Sequence, residues 1–201
     1  MSYASDGLPA CIDRFIIEGL PIDPVKRHQC ISDRMVSLLQ GYLKHSLQKE
    51  CPQAGTIDLL KQHYRHVLPR SIDYCILLDR LDLLFDLIYD LFSKDSVAHG
   101  IYLQCLEPYI LKNRFDTISP LVLKDFIQYY VENNYLSQLE QCLNRLDVSC
   151  LDIDQIVHSA RKYGLYMTLL HVQSEAFKDF TSILKEIIDK LEDDFAQTNG
   201  K

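Results

Sequence analysis

The sequence predicts an all-α fold, and more specifically an α-solenoid built of antiparallel helix pairs. Three observations lead to this prediction. Apolar residues recur at intervals of three and four along most of the chain, as on an amphipathic helix, and no segment alternates strictly as a strand would. The chain holds only 7 Gly and 7 Pro, too few turn residues for a many-stranded sheet. A weak internal repeat relates one helix–turn–helix unit to the next.

The sequence of the N-terminal quarter of the chain predicts one long helix after a short irregular start. Residues 1–10 are expected to be disordered, and residues 12–19 are expected to form a short helix before Pro21 and Pro24 break the chain. Apolar side chains then recur with a helical period from residue 26 to residue 49, which predicts a helix there.

Two further helical segments are predicted next. Thr56 can cap a helix that ends before Pro69, because a proline inside a helix removes a backbone donor and clashes with the preceding turn. Ser71 is then expected to cap a strongly apolar segment over residues 72–92, which a break near residues 79–80 divides.

The second half of the chain carries clearer helix boundaries. One apolar stripe predicts a helix over residues 95–112. Ser119 followed by Pro120 is a start signal, with a capping hydroxyl and then proline at the first helical position. The pair Asn133-Asn134 is expected to close the helix that begins there and to turn the chain into its partner helix.

The same unit recurs one repeat later. Asp152 or Asp154 is expected to cap a helix, and Gly164 fits the position just past its end, where a left-handed backbone favours glycine. Gly164 aligns with Asn134 at an offset of 30 residues, and Ile156 aligns with Phe126 at the same offset. This register favours an α-solenoid, and a plain helical bundle with coincidental register is the alternative.

The helical pattern predicts a single helical-repeat domain over residues 11–191, and it leaves open whether residues 1–70 continue the same solenoid. Its last helix is expected over residues 178–191, and residues 192–201 are expected to form a polar tail. No basic region followed by an apolar run opens the chain, so no signal peptide is expected, and no transmembrane segment is expected either.

The charge of the chain bears on its partners. A formal net charge of -7 makes a broad phosphate-binding surface unfavourable, so nucleic acid is not an expected partner. One basic stretch nevertheless combines Lys61, Arg65 and Arg70 with His63 and His66. It is interpreted either as a solvated helix face or as a docking patch for an acidic partner or an anionic lipid headgroup.

Tyrosine is favoured at protein interfaces because it combines apolar area with a polar tip. Tyr130 lies on the apolar stripe of its helix and is predicted to be part of the core. Tyr129 lies one position off that stripe and is the better surface candidate. The candidate protein-interaction residues are therefore Tyr129 and the three cations of the basic stretch. Glu107, beside Pro108, is interpreted as a simple surface carboxylate, and a residue that lines a groove is the alternative.

No pattern in the sequence predicts catalysis, a metal site or a cofactor. The seven cysteines include no Cys-x-x-Cys pair, so a zinc site is not supported, and the pattern favours a reducing compartment. No glycine-rich phosphate loop or His-Glu-x-x-His is present. His63 and His66 lack a third ligand at matching spacing.

Two regions of the chain carry sequence blocks that are typical of one protein family, over roughly residues 70–190. The most specific block is Cys-Leu-Glu-Pro-Tyr-Ile-Leu at residues 105–111, because a Glu-Pro pair inside an apolar helical stripe is unusual. The other matching segments are residues 72–75, 83–85, 96–98, 146–149, 151–157 and 164–166. Together these segments resemble the central region of the vacuolar protein sorting-associated protein eight family.

The resemblance implies a stack of helix pairs similar to clathrin heavy-chain repeats. It also implies a scaffold segment of CORVET, an endosomal vesicle-tethering complex, acting in protein transport from early endosomes toward the lysosome or vacuole. The implied partners are the other subunits of the tethering complex and an early-endosomal Rab GTPase. The implied location is cytoplasmic, peripheral on the cytosolic face of early endosomes. A general helical-repeat peptide-binding adaptor outside trafficking is the alternative function.

The chain departs from the family pattern in two respects. Members of the family are much longer and resemble a β-propeller joined to a solenoid that ends in a RING-like zinc finger. We therefore expect this chain to be a fragment or a truncated gene product. The family tends to carry Tyr-Asn-Arg where residues 173–175 read Gln-Ser-Glu.

Overall fold

A computed structural model describes residues 19–48, 57–177, 181, 184–186 and 188–189 of the chain. The predicted disorder of residues 1–10, the cap at Thr56, the polar tail over residues 192–201 and all but residue 19 of the short helix lie outside these residues, as does most of the predicted helix over 178–191. Every regular element within the described ranges is helical. The chain divides into two compact units, Met1–Leu87 and Ile88–Lys201. The prediction of one domain over residues 11–191 stays a prediction.

The first unit is built on two long helices. Helix α1 spans Pro24–Gln48 and helix α2 spans Ile57–Leu77, and the two pack against each other. The predicted long helix is therefore confirmed, although Pro24 begins it instead of preceding it, since a proline in the first turn loses no helical hydrogen bond. The Nε2 atom of His63 lies 3.0 Å from the backbone oxygen of Ser46, which connects α2 to the last turn of α1.

Helix α2 corrects two predictions at once. It does not end before Pro69 but continues through it, and Ser71 is therefore a helix-interior residue instead of a cap. The hydroxyl of Ser71 donates a hydrogen bond to the backbone oxygen of Val67 at 3.0 Å. The interior proline costs about 3 kcal/mol locally. Burial of the apolar face that runs across it, including Leu68 and Ile72, offsets this cost.

The predicted break near residues 79–80 is confirmed. Asp79 has φ 53, in the left-handed region, just past the end of α2. The chain then forms a π-helical stretch, Leu83–Ile88, which the sequence did not predict, followed by the short helix α3, Tyr89–Phe92. Leu84 and Ile88, both within the π-helical stretch, are fully buried.

The second unit contains the predicted helix pairs. Helix α4 spans Ser96–Leu111, α5 spans Pro120–Glu132, α6 spans Leu136–Leu143, α7 spans Ile153–Tyr163 and α8 spans Tyr166–Phe177. A 3₁₀ turn, Val148–Cys150, precedes α7. Short turns join α5 to α6 and α7 to α8, and each pair packs together.

The helix pairs of the second unit contact one another in sequence. Helix α6 contacts both α4 and α8, and α4 also contacts α5. The second helices of consecutive pairs therefore lie side by side, as in a helical-repeat stack. The predicted all-α fold of antiparallel helix pairs is confirmed.

Most of the predicted helix starts are found where the sequence places them. The carboxylate of Asp95 accepts hydrogen bonds from the N–H groups of Val97 and Ala98, both at 2.8 Å. Asp152, not Asp154, caps α7 by accepting from the Gln155 N–H at 3.2 Å. Ser119 and Pro120 begin α5 as predicted, but the predicted capping by the Ser119 hydroxyl is wrong, because this hydroxyl makes no capping hydrogen bond.

Four helices end in the same backbone motif. The residues just past their ends have a left-handed backbone, and each is followed by an N–H that bonds back across the last turn at 2.8–2.9 Å. This is the Schellman motif. The four residues are Asp79, Asn113, Asn134 and Gly164. The predicted resemblance between Asn134 and Gly164 is therefore confirmed in the backbone itself.

The core of the second unit is rich in aromatic side chains. Tyr102, Phe126 and Tyr130 are fully buried, which confirms the prediction for Tyr130. The rings of Phe126 and Tyr130 stack at 4.3 Å between centroids. Cys142 is also fully buried and behaves as a small apolar residue.

Candidate interaction surface

The helix pairs of the second unit are connected by polar contacts as well as by apolar packing. The hydroxyl of Tyr130 on α5 donates a hydrogen bond to the Glu107 carboxylate on α4 at 2.5 Å. Burial, together with this bond to an anion, raises the pKa of Tyr130 well above its ordinary value, so the phenol stays protonated. The interpretation of Glu107 as a simple surface carboxylate was wrong, because the side chain is half-buried and holds α5 against α4.

A second contact between α4 and α5 involves Tyr129. Gln104 donates a hydrogen bond to the Tyr129 hydroxyl at 2.8 Å. A Cβ atom added at Gly100 would lie 2.9 Å from Cε2 of the Tyr129 ring, closer than real side chains approach. Gly100 therefore allows the half-buried ring to lie directly on α4.

Glu140 connects the last two helix pairs. Its carboxylate, on α6, accepts hydrogen bonds from the backbone N–H groups of Met167 at 2.7 Å and Thr168 at 3.3 Å. These are first-turn donors of α8, which have no partner within their own helix. A negative charge here also interacts favourably with the positive end of the helix dipole. Glu140 thus supplies from a neighbouring pair the cap that α8 lacks locally.

Asp125 on α5 contacts two side chains from the preceding helices. Tyr89 on α3 donates to its Oδ2 atom at 2.6 Å. Nε2 of His99 on α4 lies 3.2 Å from the same oxygen, although the pair is not aligned as a hydrogen bond. Burial, with the bond to Asp125, raises the pKa of Tyr89 to about 12.

The turns after α4 and α6 are joined through their backbones. The N–H of Asp147 donates to the backbone oxygen of Asp116 at 2.8 Å. The Asp147 carboxylate accepts from the Ser149 N–H at 2.9 Å, and this bond lowers the pKa of Asp147. Side-chain and backbone contacts together therefore connect each helix pair of the second unit to its neighbour.

This arrangement fixes the helices of the second unit relative to one another. Its carboxylates accept hydrogen bonds from groups on neighbouring helices. Among the described residues, no group of three or more His, Cys, Asp or Glu side chains could hold a metal ion. No helix in the ranges that the structure covers is both long and apolar enough to cross a membrane.

Comparison with known proteins gives the family. The family model described as Vps8 central TPR matches residues 101–201, just over half of the chain. The chain belongs to the Vps8 family. It is 37% identical over 171 residues to the vacuolar protein sorting-associated protein 8 homolog of Homo sapiens, which covers 85% of this chain and 12% of that relative.

More distant members of the Vps8 family match a similar length. The Drosophila melanogaster homolog is 24% identical over 185 residues, or 92% of this chain and 13% of the relative. The Saccharomyces cerevisiae protein is 23% identical over 167 residues, or 83% of this chain and 13% of the relative. The chain therefore spans about an eighth of the length of the Vps8 proteins that it matches. No solved structure matches it.

The basic stretch of this Vps8 segment lies on α2, and the helix divides it between two faces. Lys61 and Arg65 are one turn apart on one side. Arg70 follows Arg65 by five residues, which places it roughly 140° further around the helix. Arg65 and Arg70 are both exposed, and Lys61 is half-buried. The three cations therefore do not form one patch, and their role in partner binding stays a prediction.

Tyr129 occupies a different setting from the one expected of a surface anchor. Its ring and hydroxyl are engaged with Gly100 and Gln104 on α4. These contacts within the chain explain the position of Tyr129, and no partner protein is needed to explain it. The role of Tyr129 in partner binding also stays a prediction.

Sequence reasoning missed Glu140 and the role of Glu107. Glu140 carries no local signal, because the donors that it caps are 27 and 28 residues away in the sequence. The sequence does carry a signal at the start of α8, the other end of this contact. The segment just before α8 offers no Ser, Thr, Asp or Asn that could act as its cap. An uncapped helix start predicts that a residue from elsewhere in the fold satisfies it.

Proposed function

We propose that this chain is a scaffold segment of an endosomal vesicle-tethering complex that acts without a catalytic step. Membership of the Vps8 family is the observation that carries the proposal, since its relatives are named as vacuolar protein sorting-associated proteins. In this proposal the segment serves protein transport from early endosomes toward the lysosome or vacuole. Its location is the cytosolic face of early endosomes.

The contacts between helix pairs support a mechanism based on rigid spacing. A scaffold holds partner sites at fixed separation, which requires that neighbouring pairs do not move independently. Glu140 capping α8 and Tyr130 bonded to Glu107 each join two consecutive pairs. The proposed partners are the other subunits of the tethering complex, together with an early-endosomal Rab GTPase.

Affinity capture tests this function. The tagged full-length gene product is expressed in cells and captured, and the co-purifying proteins are identified by mass spectrometry. We expect subunits of an endosomal tethering complex, and a Rab GTPase in the presence of a non-hydrolysable GTP analogue. Capture of peptide-motif proteins with no link to endosomes would contradict the proposal and would favour a general peptide-binding adaptor.

A variant pair connects this test to the structure. Gly164→Val combined with Glu140→Ala is expected to loosen the stack and to lower subunit recovery. Among the described residues, the exposed carboxylate of Glu132 bonds within α5 alone, to Gln128 at 2.8 Å, so Glu132→Ala is expected to leave recovery unchanged. Equal subunit recovery with the wild type, the double variant and the Glu132→Ala control would show that assembly does not depend on the stacking of helix pairs.

A further inference from the structure

The two helices of the first unit differ in charge from the rest of the chain. Helix α1 carries four Lys or Arg side chains against one Asp, and α2 carries three against two. Together they have a net charge of +4 in a chain whose net charge is -7. Positive charge is therefore concentrated on this helix pair.

Helix α2 also presents a second face, away from its core. Its core side includes Val67, Leu68 and Ile72, all buried. On the other side, exposed residues recur at intervals of seven, four and seven, which keeps them in one row along the helix. These residues are Leu59, His66, Arg70 and Leu77, and we call them the α2 stripe.

The α2 stripe is apolar at its ends and basic in its middle. Leu59 is 51% exposed and Leu77 is 75% exposed, and Tyr74, 44% exposed, lies beside Leu77 at the same end. Exposed His66 and Arg70 lie between them. The stripe extends over about 27 Å, at 1.5 Å per residue. A helix of about 18 residues laid along α2 would therefore reach from one apolar end of the stripe to the other.

We propose that the α2 stripe binds an acidic amphipathic helix of a partner protein. Leucine-type anchors in the first and last turns of that helix would cover Leu59 and the Tyr74–Leu77 end. Carboxylates in its middle would meet Arg70 and His66, and a guanidinium can bind a carboxylate through two parallel hydrogen bonds. The inference concerns the first unit alone and stands whether or not the partner is a tether subunit.

Charge selects this occupant over a second copy of the chain. Two antiparallel copies of the stripe would place His66 opposite Arg70, and two parallel copies would place Arg70 opposite Arg70. The parallel arrangement brings two like charges together, and in neither arrangement does the stripe supply a carboxylate for Arg70. A membrane surface is also a poorer match, because the stripe carries one arginine, and exposed Asp73 adjoins it.

Fluorescence anisotropy with the full chain tests the proposal. The probe is a fluorescein-labelled helical peptide of about 18 residues, the length of the stripe, with leucines in its first and last turns and three glutamates between. We expect saturable binding that weakens as salt is raised. A peptide with lysines in place of the glutamates is expected to bind at least about ten-fold more weakly.

Two charge-reversal variants separate the stripe from general electrostatics. Arg70→Glu is expected to weaken peptide binding by roughly ten-fold or more. Arg65→Glu makes the same change on the same helix, about 140° away, and is expected to change binding by less than about two-fold. Circular dichroism of both variants checks that the helix content is unchanged. Leu77→Asp, at the exposed end of the stripe, is expected to weaken binding without altering the fold.

Several results would overturn the proposal. No binding of the acidic peptide by the folded chain would do so, as would equal losses from Arg65→Glu and Arg70→Glu. Arg70-dependent sedimentation with phosphatidylserine vesicles, in the absence of peptide binding, would assign the stripe to a membrane. A concentration-dependent dimer that Arg70→Glu dissociates would assign it to a second copy.

Discussion

Removing the carboxylate of Glu140 tests whether one helix pair stabilises the next. In the wild-type chain this carboxylate accepts hydrogen bonds from the N–H groups of Met167 and Thr168 at 2.7 and 3.3 Å. Loss of a helix cap costs about 0.5–2 kcal/mol, and loss of a negative charge at a helix N-terminus costs about 0.3–1 kcal/mol. Because the site is partly exposed, we expect Glu140→Ala to lower the free energy of unfolding by about 1–2 kcal/mol.

Urea unfolding followed by circular dichroism measures this loss. Glu140→Gln keeps an acceptor oxygen and loses the charge, so we expect about half the effect of alanine. Glu132→Ala is the matched control, because Glu132 is exposed and, within the described ranges, bonds only to Gln128 on its own helix. We expect a change under about 0.5 kcal/mol for this control. A Glu140→Ala value equal to that of Glu132→Ala would refute the reasoning.

Three further predictions follow from single contacts. Gly164→Val places a branched side chain at a left-handed position, φ 72, and is expected to destabilise the chain by about 1–2 kcal/mol. Gly41→Ala adds a methyl group in open space within α1 and is expected to stabilise the chain by about 0.5–1 kcal/mol. Urea unfolding measures both changes. Tyr130→Phe removes the hydrogen bond to Glu107 and is expected to cost about 1–2 kcal/mol, and an unchanged urea midpoint would contradict this. Burial, with the nearby charge of Glu107, raises the pKa of Cys142 to about 12. The neutral, buried thiol therefore contributes to the free energy of unfolding below about pH 9, and this contribution is lost between about pH 9 and 12. Iodoacetamide at pH 8 is expected to alkylate Cys142 at least about 100-fold more slowly in the folded chain than in urea, and equal rates would argue against its burial.

Local signals predicted most boundaries of the second unit. Asp152 and Gly164 mark α7 because a cap and a left-handed turn each depend on residues adjacent in sequence. Asn134 closes α5 for the same reason, with φ 61. These positions were predictable because their physical causes lie within a few residues of the chain.

The errors arose where distant packing outweighs a local rule. The local cost of a proline predicts a helix end before Pro69, yet the apolar face of α2 is buried on both sides of it. The same rule predicts a cap at Ser71, which is instead an interior residue bonded to Val67. Glu140 could not be predicted at all, since its partners become neighbours only when α6 and α8 lie side by side.

Native-state hydrogen exchange of the Gly164→Val variant tests the stacking of helix pairs most directly. The substitution strains only the turn between α7 and α8. Because α6 contacts α8 and caps it through Glu140, we predict that amides of α6 lose protection together with those of α7 and α8. Faster exchange confined to residues 153–177, with α6 unchanged from the wild type, would show that the pairs open independently and would contradict the account.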